Sequence, residues 1–389
     1  MRTQELINGS LSPAELFCRS VIDQAEYSDE LPYVLNFAPL AQINPFQRLL
    51  YCRASSADFA ILPAVGFDEL APVRWNGRGV IHLHWLASVL ADAKSLDDAN
   101  IRIDEFKTKL CRWRERGFRI VWTMHNVLPH NSVLVEAEIA LRKVVIDQAD
   151  CIHTLSKSSI EDSRQYFELP ESKVFYIPHP TYEGWYANVR DGQNARLELD
   201  IEANTFTFVQ FGALQRYKGV LELVEAFRRL QSMHSERLFR LVIAGMPTDK
   251  AYVTEILEAI APLPAIRLIQ SSVPERDIQS FANAADVMVA PYIKTLNSGV
   301  ALLAATFGKP LIAPDMGGVG EVFQQDPTLL YDSEDPNGLL NAMERALTHK
   351  VQEEVFSSIQ ETYSPERISI QFFKTIAERL FPEKNVDKE

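Results

Sequence analysis

The sequence predicts an α/β protein with two doubly wound, Rossmann-like domains, and three observations support this prediction. Short apolar runs alternate with longer segments of helical periodicity through nearly the whole chain, which is typical of parallel sheets covered by helices. The length of 389 residues exceeds one ordinary core and suits two domains. A polar stretch without a strand pattern, from Tyr186 to Asn204, divides the apolar runs into two sets and is expected to be a linker.

The predicted strands of the first set are YVLNFA, GVIHLHWL, FRIVWTMHN, CIHTLS and VFYIPHP, and those of the second are TFVQFGAL, FRLVIAG, IRLIQSSV, DVMVAPY and PLIAPD. The last segment, Ser364–Phe381, opens with Ser-Pro-Glu and carries apolar residues at helical spacing, which predicts a closing amphipathic helix. The expected divisions are a helical extension over residues 1–30, domains over 31–190 and 204–363, and the closing helix within 364–382.

Composition and charge exclude several classes of protein. The 47% hydrophobic and 23% charged residues indicate a globular protein with large cores. A net charge of −13 argues against nucleic-acid binding, which needs clustered cations. The four cysteines are far apart and form no C-x-x-C pair, so neither a disulfide framework nor a zinc site is expected.

The sequence also predicts a cytoplasmic location. We find neither a signal peptide pattern nor an apolar run of membrane-spanning length, so any membrane contact is expected to be peripheral, at the inner face. The stretch Lys107–Arg119 concentrates basic and aromatic residues and has two interpretations. The preferred one is a solvated helix face, and the other is a surface for anionic lipid headgroups.

Candidate binding residues follow the predicted strands, because ligands of open parallel sheets bind beyond the carboxyl ends of strands. Arg216 and Lys218 follow TFVQFG and precede a helix, a combination that suits a diphosphate. Ser298 and Gly299 follow DVMVAPY at the head of another helix, where free N–H groups can also bind an anion. Taken alone, this second stretch is better explained by an ordinary helix cap.

The first half supplies a second group of candidates. His125, Asn126 and His130 follow FRIVWTMHN, and histidine can orient a substrate or exchange a proton near neutral pH. A packed or capping role is the alternative for these residues. Asn44 follows the first strand, where a plain helix cap is the simpler interpretation. A structural role is also expected for three further histidines, His82, His84 and His179.

Taken in order, these motifs resemble family 4 of the nucleotide-sugar glycosyltransferases. The second half carries the most specific matches, FGALQRYKGVLELVEAF, ANAADVMVAPY and NSGVALLAATFGKPLIAPDMGGVGEV. In the first half HLHW, WTMHNVLPHNS and CIHTLSKSS resemble a bacterial subgroup that builds surface polysaccharides. The resemblance implies the GT-B architecture, with two facing domains and a final helix that crosses back to the first.

The resemblance also implies roles for the candidates. The second domain would bind a nucleoside-diphosphate sugar with GDP or UDP as the nucleotide, and the first would bind a carbohydrate or lipid-linked acceptor. Arg216 and Lys218 would contact the diphosphate, and His125 would act near the sugar. The remaining donor-binding residues would be Gly212, Tyr292, Asn297, Ser298, Gly299, Val300 and Glu321, and the acceptor-binding residues Asn44, Asn126 and His130. No metal or other cofactor is expected, since cations and helix dipoles would stabilise the departing diphosphate.

Three positions depart from the family pattern. Thr295 and Leu303 occupy the places of two family glutamates, and Gln215 occupies that of an arginine. These departures keep two rivals open beside hexosyl transfer. One is a sugar-nucleotide epimerase of the same fold, which would need an acid and a base in the cleft. The other is a non-catalytic relative that only binds sugar nucleotides.

Overall fold

The computed structural model describes residues 20–21, 33–41, 44–71, 78–129, 132–294, 299–350 and 352–382. The chain divides into two compact units. The first contains the residues up to Pro180 together with those from Pro365, and the second contains Thr181–Ser364. The described residues of each unit form one six-stranded parallel sheet, so the predicted doubly wound α/β class is confirmed. The predicted extension over residues 1–30 lies outside the described residues, apart from Ser20 and Val21.

The first sheet has the order β2-β1-β3-β4-β5-β6. This is the flavodoxin-like order extended by one strand. Its strands are β1 (Tyr33–Ala38), β2 (Phe59–Pro63), β3 (Gly79–Leu83), β4 (Phe118–Met124), β5 (Cys151–Thr154) and β6 (Val174–Tyr176). Its first helices are α1 (Phe46–Leu50), α2 (Ala87–Leu90), α3 (Leu96–Glu115), α4 (Val135–Gln148) and α5 (Ser159–Ser163).

The second sheet has the order β12-β11-β10-β7-β8-β9, which is the Rossmann order read from the other edge. Its strands are β7 (Phe206–Phe211), β8 (Phe239–Ala244), β9 (Ile266–Ile269), β10 (Val287–Val289), β11 (Leu311–Pro314) and β12 (Leu330–Tyr331). Its helices are α6 (Gly192–Glu198), α7 (Val220–Met233), α8 (Lys250–Ile260), α9 (Ile278–Ala284), α10 (Gly299–Thr306), α11 (Gly317–Val322), α12 (Gly338–Ala346) and α13 (Glu353–Thr362).

The last helix, α14 (Pro365–Leu380), packs into the first unit. Phe372 and Phe373 are fully buried in the same cluster as Phe37 and Phe59 of the first sheet. The rings of Phe59 and Phe373 lie 4.8 Å apart between centroids. Burying one phenylalanine contributes roughly 2–3 kcal/mol, so this helix is a substantial part of the core of the first unit.

The expected linker is the main difference from the sequence-based divisions. The stretch from Tyr186 to Asn204 contains helix α6, capped by Asp191, and the boundary between the units lies at Pro180 and Thr181. Arg196 binds the carboxylate of Asp286 at 2.7 Å, which fixes α6 to the second unit. The sequence did not predict this helix because it is short and mostly polar.

The basic stretch Lys107–Arg119 forms the end of α3 and the start of β4. Phe106, Leu110 and Trp113 are buried, so the charged residues between them lie on the solvent side of an amphipathic helix. Arg114 also donates to the backbone carbonyl oxygen of Gln148 at 2.9 Å. The structure therefore favours the solvated helix face over a lipid-binding surface.

Candidate functional site

The carboxyl ends of β7 and β10 mark the switch point of the second sheet. These strands are hydrogen-bonded neighbours, and the chain runs from β7 to β8 on one side and from β10 to β11 on the other. Loops that leave a sheet in opposite directions create the crevice in which such sheets bind ligands. Two loops that the sequence singled out meet at this point, through residues 212–219 of one and residues 290–294 of the other.

Gly219 allows the two loops to approach each other. It has a φ of +67°, and a Cβ at this position would lie 1.8 Å from the carbonyl oxygen of Pro291. The carbonyl oxygen of Tyr217 accepts a hydrogen bond of 2.9 Å from the N–H of Ile293. Glycine alone tolerates both the left-handed backbone and the close contact, so this residue fixes the geometry of the site.

Lys218 places a positive charge between the loops. Its ammonium lies 4.0 Å from the ring centroid of Tyr292 and 5.0 Å from that of Tyr217, and Tyr292 is only 2% exposed. A cation over an aromatic face is attracted by the quadrupole of the ring. Burial alone would lower the pKa of Lys218, but the two tyrosines offset this effect and the pKa is raised. Lys218 is therefore a fixed cation at neutral pH.

The backbone beside Lys218 is formed by glycines. Gly212 has a φ of +134°, and a Cβ on it would lie 3.7 Å from Cε of Lys218. A Cβ on Gly245 would lie 1.7 Å from the carbonyl oxygen of Gly212, so these segments touch through their backbones. Below them Gln210 is fully buried, and its Oε1 has no hydrogen-bond partner in the described part of the chain. The sequence did not single out this glutamine, because it lies inside a strand.

Arg216 does not join Lys218. Its guanidinium binds the carboxylate of Glu255 at 2.9 and 2.5 Å and lies 3.9 Å from that of Asp249. It also lies over the ring of Tyr252, 5.1 Å from the centroid. The structure thus directs Arg216 towards helix α8, whereas the sequence placed both cations at one diphosphate.

The N-terminus of α7 differs from its predicted role as well. The hydroxyl oxygen of Tyr252 accepts hydrogen bonds from the N–H groups of Val220 and Leu221, at 3.0 and 3.2 Å. Two N–H groups of the helix N-terminus that the sequence placed beside a diphosphate are therefore occupied by a tyrosine. The aromatic cap comes from α8 and is invisible to local sequence patterns.

Replacing Tyr252 with phenylalanine should lower the free energy of unfolding of the second unit by about 1–2 kcal/mol. The change removes the hydroxyl and leaves two helix-terminal N–H groups without this acceptor, which is the usual cost of losing a cap. Urea unfolding of the two proteins would measure the difference. Equal stability would contradict a capping role for Tyr252.

The loop before α10 is described as far as Lys294, and Thr295, Asn297 and Ser298 lie outside the described residues. Gly299 and Val300 are half-buried at the start of the helix. A Cβ on Gly299 would lie 2.5 Å from the hydroxyl oxygen of Tyr182, so a side chain at this position would have to displace that hydroxyl.

The structure adds Tyr182 to the site. It also describes Leu303 and Glu321, two positions that the family resemblance singled out. Tyr182 is buried, and its N–H donates to Oγ1 of Thr306 at 2.8 Å, so it lies along α10. Leu303 is a buried apolar residue where the family has a glutamate. Glu321 lies in α11, and its carbonyl oxygen accepts a long hydrogen bond of 3.4 Å from Tyr363.

The first sheet has its switch point between β1 and β3. The loop after β1 is held by Gln47, whose side chain donates to the carbonyl oxygen of Pro39 and accepts from the N–H of Ala41, both at 2.8 Å. Oδ1 of Asn44 accepts from the N–H of Phe46 at 2.9 Å. Asn44 therefore caps the start of α1, in line with the simpler of its two interpretations.

His125 lies at the end of β4 in an aromatic environment. Its ring stacks on Trp85 at a centroid distance of 4.0 Å and contacts the edge of Phe46 at 5.0 Å. Its Nε2 lies 3.0 Å from Nδ1 of His84. Asn126 follows it and is half-buried, while His130 lies outside the described residues.

Burial keeps five of the histidines of the first unit neutral. It lowers the pKa of His153 and of His179 to about 4 in each case. Burial also lowers the pKa of three others, and repulsion between neighbouring imidazoliums adds to the effect; these are His82, His84 and His125. Each ring therefore has one N–H and one lone pair at neutral pH.

The buried histidines should make the first unit sensitive to acid. Between about pH 6.5 and pH 4 the unfolded chain binds protons that the imidazole rings of the native protein do not bind. The free energy of unfolding therefore falls as the pH drops through this range and is constant above about pH 7. With pKa values of about 4, His153 and His179 would each remove about 3 kcal/mol across this range. Urea unfolding at several pH values, followed by tryptophan fluorescence, would measure this loss. Constant stability from pH 4.5 to pH 7 would contradict it.

Neither a metal cluster nor a spanning helix occurs in the described parts of the chain. No group of three or more His, Cys, Asp or Glu side chains among these residues is placed to hold a metal ion. None of the helices given above is long and apolar enough to cross a membrane.

Comparisons with known proteins add a sequence match in the second unit. Residues 205–349 match the family model described as glycosyl transferases group 1. The GDP-mannose:glycolipid 4-beta-D-mannosyltransferase of Xanthomonas campestris pv. campestris is 24% identical over 78% of this chain and 80% of that protein. The lipopolysaccharide 1,2-N-acetylglucosaminetransferase of Salmonella typhimurium is 26% identical over 52% of this chain and 56% of that protein.

Solved structures share the fold over nearly the whole chain. Sucrose-phosphate synthase from Thermosynechococcus elongatus has a TM-score of 0.69 at 17% identity, covering 90% of this chain and 99% of that one. HepE from Anabaena, solved in complex with UDP and glucose, has a TM-score of 0.61 at 14% identity, covering 89% and 100%.

Proposed function

We propose that this chain, a glycosyltransferase of the GT-B type, transfers a hexose from a GDP- or UDP-sugar. The acceptor would be a carbohydrate or a lipid-linked saccharide, in surface polysaccharide biosynthesis. The related mannosyltransferase is named for GDP-mannose and a glycolipid, and the Salmonella relative for lipopolysaccharide. These names support a sugar nucleotide as the donor and a saccharide on a lipid as the acceptor.

The observation that carries the proposal is the fixed cation at the switch point of the second sheet. Lys218 is held over Tyr292, beside the bare backbone of Gly212. A diphosphate needs this combination of a charge and a backbone that it can approach closely. Lys218 would bind the diphosphate, and Gly299 and Val300 would add N–H groups from the start of α10.

Other residues would complete the donor site. Tyr292 would lie near the base or ribose, and Glu321 would face the donor. With buried Leu303 in place of a family glutamate, ribose recognition must come from other groups. Arg216 would take part only after leaving Glu255, so we expect it to contribute less than Lys218.

The acceptor side of the proposal rests on the first unit. His125 lies at the carboxyl end of β4 and is neutral at physiological pH because burial lowers its pKa. A neutral imidazole can accept the proton of an acceptor hydroxyl while that oxygen bonds to the anomeric carbon and the nucleoside diphosphate leaves with the electron pair. Asn126 and His130 would contact the acceptor in the same loop, with Asn44 nearer to α1.

No metal ion is needed in this scheme, because Lys218 and the N–H groups of α10 would neutralise the departing diphosphate. The proposed acceptor would place the protein at a membrane surface, on the cytoplasmic side where sugar nucleotides are made. The cations at the end of α3 would contribute little to such contact, since Arg114 and Arg116 bind groups of the protein itself.

The experiment is a release assay for nucleoside diphosphate. Purified protein would be incubated with a panel of UDP- and GDP-sugars, with and without lipid-linked acceptors, in the presence and absence of EDTA. We expect acceptor-dependent release from one donor class that EDTA does not abolish. Conversion of a donor without any acceptor would indicate an epimerase instead, and donor binding without release would indicate a non-catalytic relative.

A further inference from the structure

A continuous line of polar side chains crosses the first sheet beneath α14. We call it the histidine chain; in order it contains His153, Thr123, His82, Tyr51, His84 and His125. None of the six was expected from the sequence to interact with another. Every link is between 2.7 and 3.0 Å, within normal hydrogen-bond lengths.

The direction of the hydrogen bonds is fixed at the His153 end of the histidine chain. Nε2 of His153 lies 2.8 Å from the carbonyl oxygen of Ile177, which can only accept, so Nε2 carries the proton. Nδ1 of this neutral ring then accepts from the hydroxyl of Thr123, at 2.9 Å. Since that hydroxyl has a single proton, Nε2 of His82 must donate to Thr123, at 2.7 Å.

The same reasoning continues to the other end. Nδ1 of His82 accepts from the hydroxyl of Tyr51 at 2.8 Å, so Tyr51 accepts in turn from Nε2 of His84 at 2.7 Å. Nδ1 of His84 then accepts from Nε2 of His125 at 3.0 Å. The proton of His125 is therefore on Nε2, and its Nδ1 is an acceptor.

The surroundings protect this direction from water. Phe372 of α14 stacks on His82 and packs against His153, in both cases with ring centroids 5.2 Å apart. His82, His153 and Thr123 are fully buried. Water could reverse a link by supplying both a donor and an acceptor, and this apolar cover leaves the carbonyl of Ile177 to set the direction of the whole chain.

We propose that the histidine chain is a positioning device that locks His125 in the Nε2–H tautomer, so that Nδ1 accepts a hydrogen bond from a substrate hydroxyl. Thr123 and Tyr51 then act in the reaction without contacting the substrate. The proposal rests on the proposed function for the identity of the substrate, but the tautomer itself does not depend on turnover.

The test begins with protein labelled with ¹⁵N at the histidine rings, observed by NMR at neutral pH and assigned with single histidine variants. We expect a protonated Nε2 and an unprotonated Nδ1 for all four histidines of the chain. A protonated Nδ1 on His125 in the wild-type protein would overturn the proposal.

Two variants break the chain at different links. Thr123→Val removes the hydroxyl between His153 and His82, and Tyr51→Phe removes the one between His82 and His84. In each case His153 should keep its tautomer while His125 shifts towards the Nδ1–H form. Thr123→Ser keeps the hydroxyl and should keep the wild-type spectrum. An unchanged tautomer of His125 in both broken chains would also overturn the proposal.

Kinetics on the donor and acceptor selected by the release assay provide a second readout. We expect kcat to fall about 10-fold to 100-fold in Thr123→Val, with the KM for the donor little changed, and to recover in Thr123→Ser. The matched control is Thr154→Val in β5, because Thr154 is equally buried but bonds only weakly to the carbonyl of Phe175, at 3.4 Å. An equal loss of kcat in this control would reduce the effect to general destabilisation and overturn the positioning role.

The two proposals can fail separately. A protein that is inert on every donor but has the expected tautomers would refute the proposed function and leave the tautomer of His125 established by NMR. An active enzyme whose His125 is protonated at Nδ1 would refute the histidine chain alone.

Discussion

Lys218→Ala is expected to weaken donor binding about 100-fold and to lower kcat/KM by about 100-fold to 1000-fold. The reason is that the charge stabilises the diphosphate in the bound donor and still more as it departs, and removal of such a group costs about 3–4 kcal/mol. The dissociation constant for UDP or GDP would be measured by calorimetry, and kcat/KM by the release assay. Lys218→Arg should recover part of the loss, since it keeps the charge.

Lys309→Ala is the matched control. Lys309 is also a largely buried lysine of the second unit, but its ammonium donates to the carbonyl oxygens of Asn283 and Ala285, at 3.2 and 3.0 Å. Its removal should lower the melting temperature and leave donor affinity unchanged. Unchanged nucleotide affinity in Lys218→Ala would remove Lys218 from the donor site.

Gly219→Ala should destabilise the second unit by at least about 3 kcal/mol and abolish donor binding. A side chain in the left-handed region costs about 1–2 kcal/mol. The larger share comes from the contact of 1.8 Å between the new Cβ and the carbonyl oxygen of Pro291, because the loop that carries Tyr292 must move to relieve it. Denaturant unfolding and nucleotide titration would measure the two effects.

Gly308→Ala separates the cost of backbone strain from the cost of a steric clash. Gly308 has a φ of +61°, close to that of Gly219, but a Cβ there would meet no atom within 4 Å. The expected loss is about 1 kcal/mol with normal donor binding. Equal effects of the two substitutions would show that the contact between the loops does not determine the site.

The sequence predicted the fold almost completely, because strands buried on both faces appear as apolar runs between helical segments. It missed two strands, β2 and β12. The run FAILP of β2 is short and ends in proline, and β12 contains only two residues, Leu330 and Tyr331, so neither has a periodicity to detect. Both are edge strands, whose positions depend on the neighbouring strand more than on their own sequence.

The arrangement of the candidate site was predicted in part. The rule that ligands bind beyond strand ends singled out Lys218 and His125, because strand ends can be found from apolar runs, and the family resemblance added Tyr292. The rule could not give the direction of a side chain. Arg216 has the same local context as Lys218 but turns to Glu255, a partner 39 positions later in the chain.

The histidine chain shows the same limit. A structural role was expected for His82 and His84, and both are fully buried or nearly so. Their connection to His125 depends on the side-by-side pairing of β3 with β4, which brings together residues about 40 positions apart. Such cross-strand contacts leave no local signal in a single sequence.

A crystal structure with the nucleoside diphosphate that binds best would test the central claim most directly. We predict a diphosphate oxygen within hydrogen-bond distance of Nζ of Lys218, about 2.7–3.2 Å, with the N–H groups of Gly299 and Val300 facing the same group. A diphosphate bound at full occupancy at another place, with Lys218 still packed on Tyr292 and making no contact with the diphosphate, would contradict this prediction.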